Sequence, residues 1–534
     1  MCEHDEVTST DTDDNLGQDQ APCGACNNRS AETTPADESA TALQGRKGFL
    51  TLLAAVACTV FGSRLIIVSA FGSSVPVLDQ WDGEAAALYS PYLKGTLSFG
   101  ALFAPHNEHR ILLTRLLALG HLELAGEWNT RLEMIFGALV LTAVVTWLAA
   151  LLMPLVAPHR RVLFACFVAL VFAFPIDFEN TLWGFQSQIY LALFFGVAAL
   201  VAFASARPFS PRWCGGLFAG VLAYFSYATG VAALVAAGIL VSLQLATNVR
   251  KRCGREVAAV VVIVFVAVAI ILSGSHSTKT ISTLWDFVAG IAIFAALTLV
   301  GGIPLIFFCR YTLTSRPDVS HPAWMMVGFS AWVSIQLMLF VYGRGSLVAP
   351  RYMAIVLLVY PMALVAVFAL SDRARILGMR RRAGLGPAIW VFIVSAVISV
   401  AGCVSVLACS NWSNAASQQI VDVRAYLATG SPEQLKESGS STHGVVLNHP
   451  SPERQARILK NPEVRAILPP EIRPSDAEVE RARDRMLLKG TLAGATATAV
   501  HFVLAISPVV LVIGLGLFIA VGTVGSLPAP PRRR

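Results

Sequence analysis

Apolar residues run through this chain in stretches of about 17 to 25, each long enough to cross a hydrocarbon core of about 30 Å as a helix. The pattern predicts twelve spans: 48–72, 132–157, 162–176, 189–206, 213–228, 230–246, 257–273, 284–308, 322–341, 351–370, 387–409 and 489–525. The expected fold class is therefore all-α, a polytopic membrane protein of about twelve transmembrane helices. A thirteenth apolar stretch, 110–125, contains Arg110 and Arg115 and reads instead as an amphipathic helix along the outer surface, with both guanidinium groups facing headgroups.

Leaving 110–125 out of the membrane gathers the basic clusters on one side: Arg46/Lys47, Arg160/Arg161, Arg207/Arg212, Arg250 to Arg255, Arg310/Arg316, Arg373 to Arg382 and Arg532 to Arg534. The short loops opposite hold only Lys279, Arg344 and Arg351. The positive-inside rule requires an imbalance of this kind, so both termini are expected in the cytoplasm and the long loops outside the plasma membrane. Four regions follow: an acidic, disordered tail, 1–47; a bundle, 48–409, that includes an outer loop, 73–131; a small, mostly helical outer segment, 410–488; and a last span with a short basic tail, 489–534. Segment 410–488 carries ten acidic and ten basic side chains and a helix start at Ser451-Pro452-Glu453. Prolines at 462, 469, 470 and 474 keep its helices short. It reads as a small cap or as a solvated spacer over the bundle.

Composition agrees with the pattern. Of 534 residues, 55% are hydrophobic and 14% charged, against roughly 25% charged in an ordinary soluble domain, which excludes a soluble enzyme. The net charge of +7 conceals −9 in residues 1–45 and +16 in the remainder. Those basic residues sit between apolar runs, so nucleic acid is set aside as a partner. Six of the ten cysteines lie in or beside apolar runs, which implies no disulfide framework. Cys23-Gly24-Ala25-Cys26 has metal-binding spacing, but it stands in a tail of disordered composition. The first apolar run begins near Gly48 and is long enough to span, so no cleavable leader is expected. No internal repeat is evident, which weakens a secondary-transporter reading.

Candidate chemistry concentrates in the outer loops. Asp79-Gln80-Trp81-Asp82-Gly83-Glu84 places three carboxylates within six residues, and His106-Asn107-Glu108-His109-Arg110 adds two imidazoles, a carboxylate and a guanidinium. Such a cluster beside a bilayer suggests general-base or metal-binding work. Asp79 and Asp82 could equally cap a helix beginning near Glu84. The His-x-x-His spacing leaves a divalent metal open without favouring one. The next outer loop, 177–188, offers Glu179, Trp183 and Gln186, a set suited to stacking on and hydrogen bonding a sugar, or to an aromatic belt that binds nothing. Lys279, Arg344 and Arg351, the last followed by Tyr352, are outer cations suited to a phosphate, with snorkelling at a helix end as the alternative. Gly343 and Gly345 would let the backbone approach such a ligand.

With these residues in place, the arrangement resembles the C-type superfamily of polytopic membrane glycosyltransferases. The likeness covers the topology of most of 48–409, the acidic pair after the first span, and the phrases DQWD, PHNEHR, NTLWGFQ and GRG…PRY. Asp-x-x-Asp stands where the superfamily carries an Asp-Asp or Asp-Glu doublet. The resemblance implies transfer of a sugar from a polyprenyl-phosphate donor to a glycan, lipid or protein acceptor on the outer face, with inversion. Asp79 or Asp82 would be the general base. Arg344 and Arg351, with Arg110 or Lys279, would stabilise the leaving phosphate. The competing classes are a transporter or flippase of lipid-linked glycans and a non-catalytic assembly protein of the cell envelope.

Overall fold

The computed structural model describes residues 35–274, 283–436 and 445–526. Residues 1–34 of the acidic tail, with Cys23 and Cys26, the terminal arginines, and the loop carrying Lys279 lie outside the described residues, whereas 35–47, expected to be disordered, open the helix Pro35–Phe71. Within them the chain is helical throughout, and its paired extended backbone is one short bridge between His106 and His109. A bilayer offers no water to unpaired backbone groups, so apolar segments satisfy themselves as helices.

Among the described residues, nine helices are long and apolar enough to cross a membrane, or ten if the bent pair Ala493–Ala505 and Ser507–Thr523 counts as one span. The chain is a helical, multi-pass membrane protein. The other two expected spans are shorter helices, Arg161–Ala173 and Pro211–Ser226, of 13 and 16 residues. At 1.5 Å per residue these rise about 20 and 24 Å, less than the hydrocarbon core. A helix that stops early leaves its following loop within the bundle. Both such loops are buried, one carrying Asp177 and the other Tyr227. Apolar side chains such as Phe265, Ile306, Phe392 and Leu407 stand exposed on the peripheral helices, where lipid would cover them.

Successive helices run up and down, so loops alternate between two ends. One end gathers the basic residues: Arg160 pairs with Asp372 at 2.9 Å, Arg373 lies over Tyr311, and Arg250 donates to the carbonyls of Phe203 and Ala206. The other end carries the two long interspan segments.

Those segments, 73–131 and 410–488, share one apolar core. Trp81, Tyr89 and Trp128 meet edge to face, with ring centroids 5.4 Å apart. Around them pack Val423, Tyr426, Leu459, Val464, Ile467 and Met486 from the second segment. The helix Arg380–Thr429 makes this possible. At 50 residues it rises about 75 Å, so it leaves the bundle and continues into this head. The helix expected at Ser451-Pro452-Glu453 forms over Pro452–Leu459, with Ser451 Oγ accepting from the Arg454 N–H.

The helix Leu112–Ala125 corrects the expected headgroup-facing arginines. Arg115 is buried and donates to the carbonyls of Ala101, Leu102 and Ala104. Arg110 donates to the carbonyls of Phe103 and Ser273, which ties the loop to the end of the helix Gly254–Ser273. Orphan carbonyls at helix ends are ready acceptors for such cations.

Beneath the head, Arg64 of the first span is fully buried and pairs with Asp177 at 2.6 Å. It also donates to Thr181 Oγ1 and to the carbonyls of Phe172 and Phe174, while Tyr190 donates to Asp177. Removing one partner strands a charge, at about 3–5 kcal/mol. Asp177→Leu is therefore expected to lower the melting temperature in detergent sharply, and Arg64→Met with Asp177→Leu to lower it less. Equal stability of Asp177→Leu and the native protein would contradict this role.

Candidate functional site

The acidic stretch after the first span is folded as a nine-residue π-helix, Trp81–Tyr89. Wide helical turns of this kind are frequent at functional sites. Leu78, directly before Asp79, has φ +49, a left-handed conformation that a Leu rarely adopts. Its amide donates to the Leu447 carbonyl of the second segment at 2.9 Å. Gly83 is needed for close approach, since a Cβ there would meet Phe185 at 3.1 Å and the His106 ring at 3.3 Å.

The two aspartates differ sharply. Asp82 accepts from His449 Nε2 at 2.9 Å and from Arg454 Nε at 2.5 Å. His449 Nδ1 lies 3.0 Å from both the amide and the carbonyl of Ser451, which orients the ring with Nε2 toward Asp82. Partial burial would raise the Asp82 carboxyl, but hydrogen bonds from His449 and Arg454 and their charges hold it below the usual range. Asp79 is half-buried and its carboxylate has no hydrogen-bond partner among the described residues; it sits close enough to His106 to favour that ring's charged form. Neither residue caps the helix, whose N-cap position, Gln80, makes no side-chain cap.

His106 and His109 exchange backbone hydrogen bonds of 2.8 and 2.9 Å across a two-residue turn. Asn107 occupies the left-handed position at φ +52, which an Asn tolerates. The His106 ring meets the edge of Phe185, whereas His109 stacks on Tyr227 with centroids 4.2 Å apart. Burial lowers the His109 pKa to about 4. Glu108 opposes that shift, while Arg344, His106 and Arg351 reinforce it, so His109 is neutral at pH 7. Burial also lowers His106, against the pull of Asp79.

Two arginines at the ends of neighbouring spans complete the cluster. Arg344, the last residue of the helix Ala323–Arg344, pairs with Glu108. Gly345 follows at φ +61 and ends that helix, packed against Gly290, which is the structural reason for glycine there. Arg351 pairs with Glu179 at 2.8 Å and lies over the Tyr352 ring, which in turn stacks on Phe340 at 4.2 Å. Asp82, Glu108, Arg344 and Arg351 keep 23, 27, 27 and 24% of their side-chain surface exposed, so a solute can reach them.

Other expected contact residues stand elsewhere. Trp183 and Gln186 do not present a sugar-binding face. Both are buried, Trp183 stacking on Phe185 within a core that includes Trp412 and Leu447, and Gln186 accepting from Gln188. Glu84 is likewise buried, accepting from Trp128 Nε1 at 2.9 Å and from Gln80 Nε2 at 3.0 Å. Burial pushes its carboxyl well up, against those two hydrogen bonds. Gln80 also bridges to Glu133, so the pair holds the head onto the next span. Among the described residues, no group of three or more His, Cys, Asp and Glu side chains is placed to hold a metal ion.

Sequence reasoning missed His449, Arg454 and Tyr227. His449-Pro-Ser-Pro-Glu-Arg454 was a visible polar run, and Tyr227-Ala-Thr-Gly marked a break between apolar runs, but neither indicated what it would meet. The chain matches no family profile, no curated protein and no solved structure.

A carboxyl depressed by folding stabilises above its ordinary pKa and loses that effect as pH falls through the folded value. The Asp82 clasp is therefore intact at neutral pH and fails on acidification below about pH 4. Melting of Asp82→Asn against the native protein should show a difference at pH 7 that shrinks toward pH 3. A difference that grows on acidification would contradict the clasp.

Proposed function

We propose that the protein is a membrane glycosyltransferase that moves a sugar from a polyprenyl-phosphate donor to an acceptor hydroxyl, with Asp79 as general base. The observation that carries this reading is the contrast between the two aspartates. Asp82 is held by His449 and Arg454, while Asp79 is left unbonded beside His106. A base needs an uncommitted lone pair and access to the hydroxyl proton, and Asp79, half-buried and without a hydrogen bond among the described residues, fits that need better than Asp82.

The reaction is one displacement. The acceptor oxygen bonds to the anomeric carbon, its proton passes to Asp79, and the bond from that carbon to the phosphate oxygen breaks with inversion. Arg344 and Arg351 take up the charge on the leaving lipid phosphate. Each guanidinium carries five N–H donors, so it can keep its carboxylate on one edge and offer another to phosphate. Neutral His109 on Tyr227 adds no competing positive charge. Their place at span ends lets an isoprenoid tail remain in lipid while its phosphate reaches the cluster. The charge asymmetry between the two ends supports cytoplasmic termini and a site on the outer face of the plasma membrane.

The test uses purified protein in liposomes, a labelled polyprenyl-phosphate sugar, and a cell-envelope fraction as acceptor. Asp79→Asn should reduce transfer by about 10²–10⁴-fold, with the native melting temperature kept. Arg344→Gln with Arg351→Gln should weaken donor use more than acceptor use. Full activity of Asp79→Asn would overturn the assignment, and donor flux across the bilayer without any glycosylated product would favour a flippase.

A further inference from the structure

A cavity lies against Trp128, and none of the residues of this cluster lines it. It has a volume of about 350 Å³ and joins four parts of the chain: Ser69 of the first span, Ser74 and Glu127 to Arg131 at the two ends of the first long segment, Pro469 to Glu471 of the second, and Ala497 to Ala505 of the helix before the bend. Trp128 forms part of its wall. One side is polar and carries Glu127, Asn129, Arg131 and Glu471; the other is the flank of the helix Ala493–Ala505, apolar at Ala497, Val500 and Leu504 and carrying His501. The spans beginning at Thr130 and ending at Phe71 meet the head here, which would put the cavity near the lipid headgroups.

The polar side is incompletely satisfied. Arg131 and Glu471 both line the cavity and are partly exposed, and each has an inner atom, Nε and Oε2, that makes no hydrogen bond. Arg131 Nη2 reaches the Gly72 carbonyl at 3.4 Å, so the rest of the guanidinium is lightly committed. Glu127 is already neutralised by Arg473 at 2.6 Å. The cavity therefore offers one guanidinium and one carboxylate, each short of a partner, above a slope that is apolar except for the His501 imidazole. A headgroup carrying only negative charge would satisfy Arg131 but face Glu471 as a like charge. One carrying a phosphate and a primary ammonium satisfies both.

We propose that this cavity binds a zwitterionic aminophospholipid, its phosphate on Arg131, its ammonium on Glu471, and its acyl chains along Val500 and Leu504. The site is separate from the Asp79 cluster and does not depend on the transferase reading. A choline headgroup lacks N–H donors and leaves Glu471 unsatisfied, so the cavity distinguishes the two zwitterions.

The test is native mass spectrometry of the full-length protein in detergent, titrated with equal amounts of phosphatidylethanolamine, phosphatidylcholine and phosphatidylglycerol of matched chains. The expected result is a one-to-one adduct with phosphatidylethanolamine retained about tenfold over either competitor, the size of one charged hydrogen bond. Glu471→Gln should bring phosphatidylethanolamine to parity with phosphatidylcholine, and Arg131→Gln should weaken all three. Melting temperature checks that each variant is folded; if Arg131→Gln fails to fold, Glu471→Gln alone decides. Equal retention of the three lipids, or an unchanged preference in Glu471→Gln, overturns the proposal. Displacement of the lipid by millimolar inorganic phosphate or soluble glycerophosphoethanolamine would assign the site to a free anion or headgroup and overturn the lipid.

Discussion

A charge removed from water must find a partner, and in a chain with so few charges this constraint determines where the loops go. Arg64 draws the Asp177 loop into the bundle. Arg115 and Arg110 turn away from the surface to cover carbonyls at helix ends. Asp82 reaches more than 360 residues along the sequence for His449 and Arg454. Each pairing joins segments that the apolar runs alone would leave independent, and together they build the head from which the candidate site projects.

Within that head, apolar packing and polar pairing support one another. The Trp81–Trp128–Tyr89 cluster buries the inner face of the π-helix, and the indole of Trp128 satisfies Glu84. With Trp81 and Glu84 directed inward, Asp82 turns toward the second segment. Asp79 is left at the strained approach to the helix. Asp79 and the Asp82 clasp are thus three residues apart and differ because their surroundings differ, the carboxylate type being the same.

Helical character, the boundaries of most spans and the gathering of basic residues at one end were legible in the sequence, because desolvation imposes them locally. The twelve expected spans included 162–176 and 213–228, whose helices stop at Ala173 and Ser226, since buried loops at Asp177 and Tyr227 take up the remaining length. The union of 73–131 with 410–488 was not legible. Amphipathic patterns show that a segment has an apolar face without showing what covers it. The same holds for the site: Asp79, Glu108, Arg344 and Arg351 stood out as charges in an apolar chain, but Arg115 did too, and Trp183 and Gln186 looked equally available, yet the fold buries all three. A residue that looks available in the sequence becomes structural when a partner from a distant segment reaches it.

The most direct test of the central claim is to measure donor binding and a single turnover on the same preparation of Asp79→Asn. The labelled polyprenyl-phosphate sugar should bind with native affinity, through Arg344 and Arg351, and no sugar should transfer. Transfer at the native rate, or loss of donor binding with the fold intact, would contradict the assignment of Asp79 as the base.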